Sequence, residues 1–190
     1  MAYALLGVRL VVGIVFAASA FGKLRGAEAF RRFEEAARAM GVPARLNRPV
    51  AVAVILGECA AVVLLALEPG GAPGFVLTLL LLTAFTAGIV RTLRSGTKAS
   101  CACFGATTVP IGRRHVVRNG VLLALALFGL AAALTGTAAP ASTPGVLITA
   151  FGALTGALLV IFTDEIGTLF EDDTPRAPGR VRSSSSHPAR

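Results

Sequence analysis

Charge is scarce in this chain. Only 15% of its 190 residues are charged while 55% are hydrophobic, against roughly 25% charged in an average soluble domain. That shortage excludes an ordinary soluble globule. Cysteine and histidine are also sparse, with three and two copies, and a closed structural zinc site takes four such ligands. Internal repeats are missing, and no second folded domain is legible. Two of the connecting segments, "EPGGAP" and "TGTAAPASTPG", have no Lys or Arg.

What the chain has instead is apolar length. A bilayer core about 30 Å thick needs roughly 20 apolar residues in a helix, and five runs approach or reach that length, over residues 3–22, 50–67, 74–90, 116–134 and 146–162. They predict an all-α, polytopic membrane bundle over residues 1–170, with the two ends on opposite sides. The first run contains Ala18-Ser19-Ala20, which also reads as a signal-peptidase site. A retained helix is the favoured reading, because Arg9 is the only charge before the site and the run is long enough to span.

The net charge of +8 does not point to nucleic acid, because the basic residues collect in alternate loops rather than on one soluble face. Lys23, Arg25, Arg31, Arg32, Arg38, Arg45 and Arg48 lie between the first two runs. A second group, Arg91, Arg94, Lys98, Arg113, Arg114 and Arg118, surrounds the third connection, and Arg176, Arg180, Arg182 and Arg190 lie in the tail. Of the 18 basic residues only Arg9 falls elsewhere. The positive-inside rule then puts the N-terminus outside and the third loop and tail in the cytoplasm.

Between the first two runs, Phe30, Phe33, Ala37 and Met40 recur at helical spacing, with Arg31, Arg32, Glu34, Glu35 and Arg38 opposite them. That pattern predicts an amphipathic helix at the membrane interface, stopped by Gly41 and Pro43. Gly152 and Gly156 in the fifth run have GxxxG spacing, which permits close helix contact but also arises by chance among 21 glycines. Residues 171–190 lack apolar periodicity and read as a disordered basic tail.

An ionisable side chain within a span costs roughly 2.5–3.5 kcal/mol on insertion scales. Glu58 is such a residue, in "AVAVILGECAAVVLLAL", roughly 13 Å along the helix from Pro49. It needs a proton, a hydrogen bond or a cation, and Lys23 and Arg118 near the same face are candidates. The bland alternative is a pair that only fixes packing. Asn119 could hydrogen-bond loop carbonyls or Glu58, and His115 reads as interfacial with no special role.

The third loop holds "CACFG", with Cys101 and Cys103 separated by one alanine. Flanking Arg94, Lys98, Arg113 and Arg114 favour thiolates. A disulfide across one residue bends the backbone tightly and is easily reduced, so it suits exchange better than stapling. Cu(I) or Zn binding by the pair and unreactive loop cysteines are the rival readings. For a metal, only Cys59, His115 and His187 remain as Cys or His donors, and no metal ligands are assigned. Cys59 adjoins Glu58 but points about 100° away on a helix, and reads as a small buried residue.

Taken in order, "FGKLRG", "AMGVP", the Glu within the second span, "CACFG" and the "RN" opening the fourth span resemble the MauE branch of the MauE/DoxX membrane family over about residues 5–134. The resemblance implies a DoxX-like four-helix core, to which this chain adds a fifth C-terminal span and the interfacial helix. It also implies a redox-associated protein of the bacterial inner membrane, linked to methylamine utilisation and to maturation of a disulfide-rich partner beside a thioredoxin-like protein. Lys23, Glu58, Cys101, Cys103, Phe104, Gly105, Arg118 and Asn119 match the family pattern; Cys59, the fifth span and the tail do not. Thiol–disulfide exchange at Cys101 and Cys103 is the expected chemistry, with a soft-metal protein or a non-catalytic assembly subunit as alternatives. One CxC on one face cannot carry electrons across the bilayer, so a quinone, a thioredoxin-like partner or a Cys59 relay would complete the path. Disulfide formation belongs outside the cytoplasm, whereas the charge bias puts this loop inside.

Overall fold

The computed structural model describes residues 1–67, 71–95, 113–136 and 142–171. Among these residues every regular element is helical: α1 Ala2–Leu24, α2 Ala27–Ala39, α3 Asn47–Leu67, α4 Ala72–Ser95, α5 Arg113–Leu134 and α6 Thr143–Glu171, with a 3₁₀ turn at Ala44–Leu46 before α3. Five of the helices, all but α2, are long and apolar enough to cross a membrane. Each begins or ends a few residues beyond the corresponding apolar run, because helical hydrogen bonding continues into the charged flanks where hydropathy falls.

Four helices close a ring in which α1 packs on α3, α3 on α4, α4 on α5 and α5 on α1. The repeat of the buried positions explains the ring. In α1 they are Leu5, Val8, Val12, Val15, Phe16, Ser19, Ala20, Gly22 and Lys23, a seam built on steps of three and four residues that widens towards the C-terminal half, where more neighbours pack on it. Helix α4 repeats the rule with Phe75, Thr78, Leu82, Ile89 and Thr92. Large apolar side chains such as Leu56, Leu80, Leu127 and Phe151 face outward, as lipid requires and water would penalise.

The seam changes character along its length. Towards one end of the bundle it is apolar, through Leu65, Phe75, Ala126 and Ala132. Towards the other end the same seam positions carry Ser19, Lys23, Asn47, Glu58, Thr92, His115, Arg118 and Asn119, all buried. The seam is thus mostly apolar at one end and polar at the other, which is the basic end of the chain.

Helix α6 lies outside the ring, chiefly against α1. Its contact runs through Ala153 and Ala157, both buried, and through Thr149 against Gly7. Gly156 meets Val11 at an ordinary 3.7 Å from a notional Cβ and Gly152 meets nothing, so the GxxxG spacing makes no close approach here. Tyr3 ties the helix ends together, its hydroxyl 2.8 Å from Ser142 Oγ and accepting from the Ser142 amide at 3.1 Å. At that same end the guanidinium of Arg9 donates through Nε to the Leu65 carbonyl at 2.7 Å, satisfying an acceptor in the last turn of α3 that has no helical partner.

Helix α2 does more than lie at the interface. Its Ala29, Phe33, Ala36 and Ala37 are buried against α1 and α3, and Phe33 joins Ala51 and Ile55 in a second apolar cluster. Gly26 and Gly41 bracket the helix; Gly41, at φ +98°, sits in the left-handed region that favours glycine and turns the chain towards α3.

Candidate functional site

Lys23 and Glu58 form an ion pair inside the bundle. Lys23 Nζ lies 2.7 Å from Glu58 Oε1 and 2.9 Å from Oε2, and each residue is 1% exposed. The ammonium has three protons to place. Two go to the carboxylate and one to Ser19 Oγ at 2.6 Å. Ser19 in turn donates to Glu58 Oε1 at 3.0 Å, so the hydroxyl accepts from the cation and gives to the anion. Helical geometry makes this possible: Ser19 and Lys23 are four apart on one face of α1, and α3 runs past that face.

Two rings enclose the ammonium. Phe33 of α2 presents its face with the centroid 4.9 Å from Nζ, and Phe85 of α4 does so at 5.5 Å. Both are within cation–π range. Four elements therefore meet at one charge: α1 supplies it, α3 neutralises it, and α2 and α4 cover it.

Beside Glu58 is a cavity of about 30 Å³ lined by Ser19, Glu58, Arg118 and Asn119 with Phe16, Phe85 and other apolar side chains. Its volume suits about one water molecule. The Asn119 amide donates to Thr86 Oγ1 at 3.4 Å, and that hydroxyl donates to the Leu82 carbonyl at 2.7 Å. Lys23, Glu58, Arg118 and Asn119 thus share one buried region. Of the two cations considered for Glu58, Lys23 takes it; Arg118 lines the cavity alongside. Asn119 spends its donor on Thr86 rather than on Glu58.

Two participants, Ser19 and Phe33, were hidden in the sequence, and His115 is more deeply buried than an interfacial position implies. Ser19 looked like part of a cleavage site, although its i,i+4 spacing to Lys23 was a signal. His115, expected at the interface, is 1% exposed within the bundle, one turn before Asn119. Phe33 read as an interfacial residue and proves to cover Lys23. Cys59 packs partly buried against the Phe33 cluster, on a different side of α3 from Glu58. Cys101, Cys103, Phe104, Gly105 and the tail lie outside the described residues. No group of three or more His, Cys, Asp or Glu side chains that could hold a metal occurs among the described residues.

The family model for the methylamine utilisation protein MauE matches residues 1–132. This chain belongs to the MauE family. The match takes in α1 to α5 almost entirely, with the Lys23–Glu58 pair and the Cys101/Cys103 loop, and stops before α6. The chain is also 33% identical over 156 residues to the methylamine utilization protein MauE of Paracoccus denitrificans, covering 80% of each chain. No solved structure gives a significant match.

Proposed function

We propose that this chain is a MauE-like thiol–disulfide exchange protein of the bacterial inner membrane, supporting disulfide formation or maturation in a partner. The observation that carries the reading is the polar end of the seam. Helix α4 ends at Ser95 and α5 begins at Arg113, so the described residues that flank the Cys101/Cys103 segment in sequence stand at the end of the bundle that holds Lys23, Glu58, Arg118 and Asn119. A buried, hydrogen-bonded constellation near a reactive segment is the kind of support that such chemistry uses.

In the oxidising direction, a client thiolate attacks one sulfur of the Cys101–Cys103 disulfide. A client–protein mixed disulfide forms and the other cysteine leaves as thiolate. The second client thiolate then attacks the mixed disulfide, giving the client disulfide and leaving Cys101 and Cys103 reduced. Two electrons have passed from client to loop. The loop returns them to the disulfide of a thioredoxin-like partner or to a quinone, which becomes a dithiol or a quinol. Run in reverse, the same steps reduce or isomerise a client. The one-residue spacing would make a Cys101–Cys103 disulfide easy to reduce, which favours the oxidising direction.

The charge bias supports a cytoplasmic site for this loop, where the pair would deliver or receive electrons through a thioredoxin-like partner, and an extracytoplasmic site would instead suit direct oxidation of a client. Lys23 and Arg118 are buried in the bundle and are set aside as functional charges, yet the remaining basic residues still favour the same face. Trapping tests the reading. With Cys101→Ser and Cys103→Ser made separately in the full chain, one variant should accumulate a covalent adduct with a client, dissolved by reductant. The double variant should form none and should fail to complement. Full complementation by the double variant would leave an assembly subunit; stoichiometric Cu(I) or Zn after reducing purification would favour the metal reading.

A further inference from the structure

A second cavity is bordered by Phe33 and Phe85, the two rings beside Lys23. It has a volume of about 330 Å³ and is bounded by α2, α3 and α4, with Phe33, Met40, Val54, Leu81 and Phe85 among its walls and Arg91 as its single charged lining residue. That size falls at the lower end of small-molecule pockets. At about 30 Å³ for a water-sized unit, it takes a chain of roughly ten methylene groups.

Arg91 is set at one end of this cavity by Gly41. A Cβ on Gly41 would stand 2.9 Å from Arg91 Cζ, so the bare glycine at the end of α2 leaves the guanidinium its place. Arg91 is exposed, and no described residue hydrogen-bonds it. It stands one turn before the end of α4, at the basic face, where the charged side of the amphipathic helix also lies. An apolar slot opening at a membrane interface with a lone cation at its end has the charge pattern of an anionic amphiphile.

We propose that this cavity seats one acyl chain of an anionic phospholipid, with the phosphate on Arg91. The guanidinium presents paired donors that suit phosphate oxygens, and juxtamembrane cations attract anionic headgroups. The seated chain has a structural effect. Phe33 and Phe85 line the cavity and also flank Lys23, so a seated lipid would touch the two rings that cover the ion pair. The inference does not depend on the thiol chemistry.

Native mass spectrometry of the purified full chain tests it, after exchange into mixed micelles with phosphatidylglycerol or phosphatidylcholine. One phosphatidylglycerol should stay bound per chain, and phosphatidylcholine should not. Arg91→Gln should weaken retention about tenfold, the loss of one charge-assisted hydrogen bond. Arg48→Gln, on the same face but away from the cavity, should leave it unchanged. Ala84→Phe, which fills the slot, should remove lipid of either headgroup and carries the test if Arg91→Gln fails to fold. Melting in lipid-free detergent checks the fold of each variant, and added phosphatidylglycerol should raise the melting temperature of the wild type but not of Ala84→Phe. Equal retention of both lipids, indifference to Arg91→Gln in a folded variant, or one-for-one displacement by a short-chain quinone would overturn the assignment.

Discussion

Glu58 faces Lys23 across the α1–α3 contact, thirty-five residues away in sequence, with both carboxylate oxygens within 2.9 Å of one nitrogen. The arrangement leaves little slack: all three ammonium protons have acceptors and the bridging hydroxyl of Ser19 is used in both directions. Such a pair is costly to break from one side only, because the partner left behind is a desolvated charge.

Lys23→Met should therefore destabilise the bundle by about 3–5 kcal/mol, read as a loss of folded fraction in a denaturant titration in detergent. Adding Glu58→Met should recover most of that loss, because the double variant buries no charge. Simple addition of the two single losses would show that the residues do not act as a pair.

Ser19→Ala should cost less, about 1–3 kcal/mol, since the two charges still meet without the bridge. A loss equal to that of Lys23→Met, in the same titration, would make the hydroxyl the organising group and the pair secondary.

An impermeant maleimide should fail to label Cys101 and Cys103 in sealed, reduced cells and should label them once the membrane is opened. Labelling at neutral pH should outpace a thiol of pKa about 8.5, because the basic flank raises the thiolate fraction. Rapid labelling from outside would reverse the proposed orientation.

Cys59→Ala should change thiol exchange little. Its side chain belongs to the Phe33 cluster, and a relay through it would need loop backbone at a depth where only protein-buried or cavity-lining segments are tolerated. A loss as large as that from Cys103→Ser would restore the relay.

Gly74→Ala should destabilise by about 1–3 kcal/mol through overpacking, measured by the same unfolding titration. A Cβ there falls 2.7 Å from the backbone nitrogen of Leu65, which cannot swing aside as a side chain would. Gly13→Ala, with open space around its Cβ, should be close to neutral.

The spans were legible because apolar length is a local property, and Glu58 was legible because a carboxylate amid seventeen apolar-rich residues has no local explanation. Its partner was not. Sequence position sets how deep Lys23 and Arg118 lie, but the choice between them depends on the azimuth of α1 and α5 around α3, which only packing decides. Ser19 was masked by two small neighbours that imitate a processing site. His115 and Phe33 were assigned to the interface because the sequence shows amphipathic spacing without showing which neighbours cover it.

The pair also imposes a history on the protein. Helix α1 leaves the ribosome before α3, and Lys23 sits at its end, where a long side chain can reach the interface by itself. Glu58 has no such escape, being in the middle of α3. Its entry into the bilayer is disfavoured by roughly 2.5–3.5 kcal/mol until a cation is already there to receive it. Helix α1 is thus the docking partner that α3 calls for during biosynthesis, and the ring grows from a helix that precedes α3 in the chain.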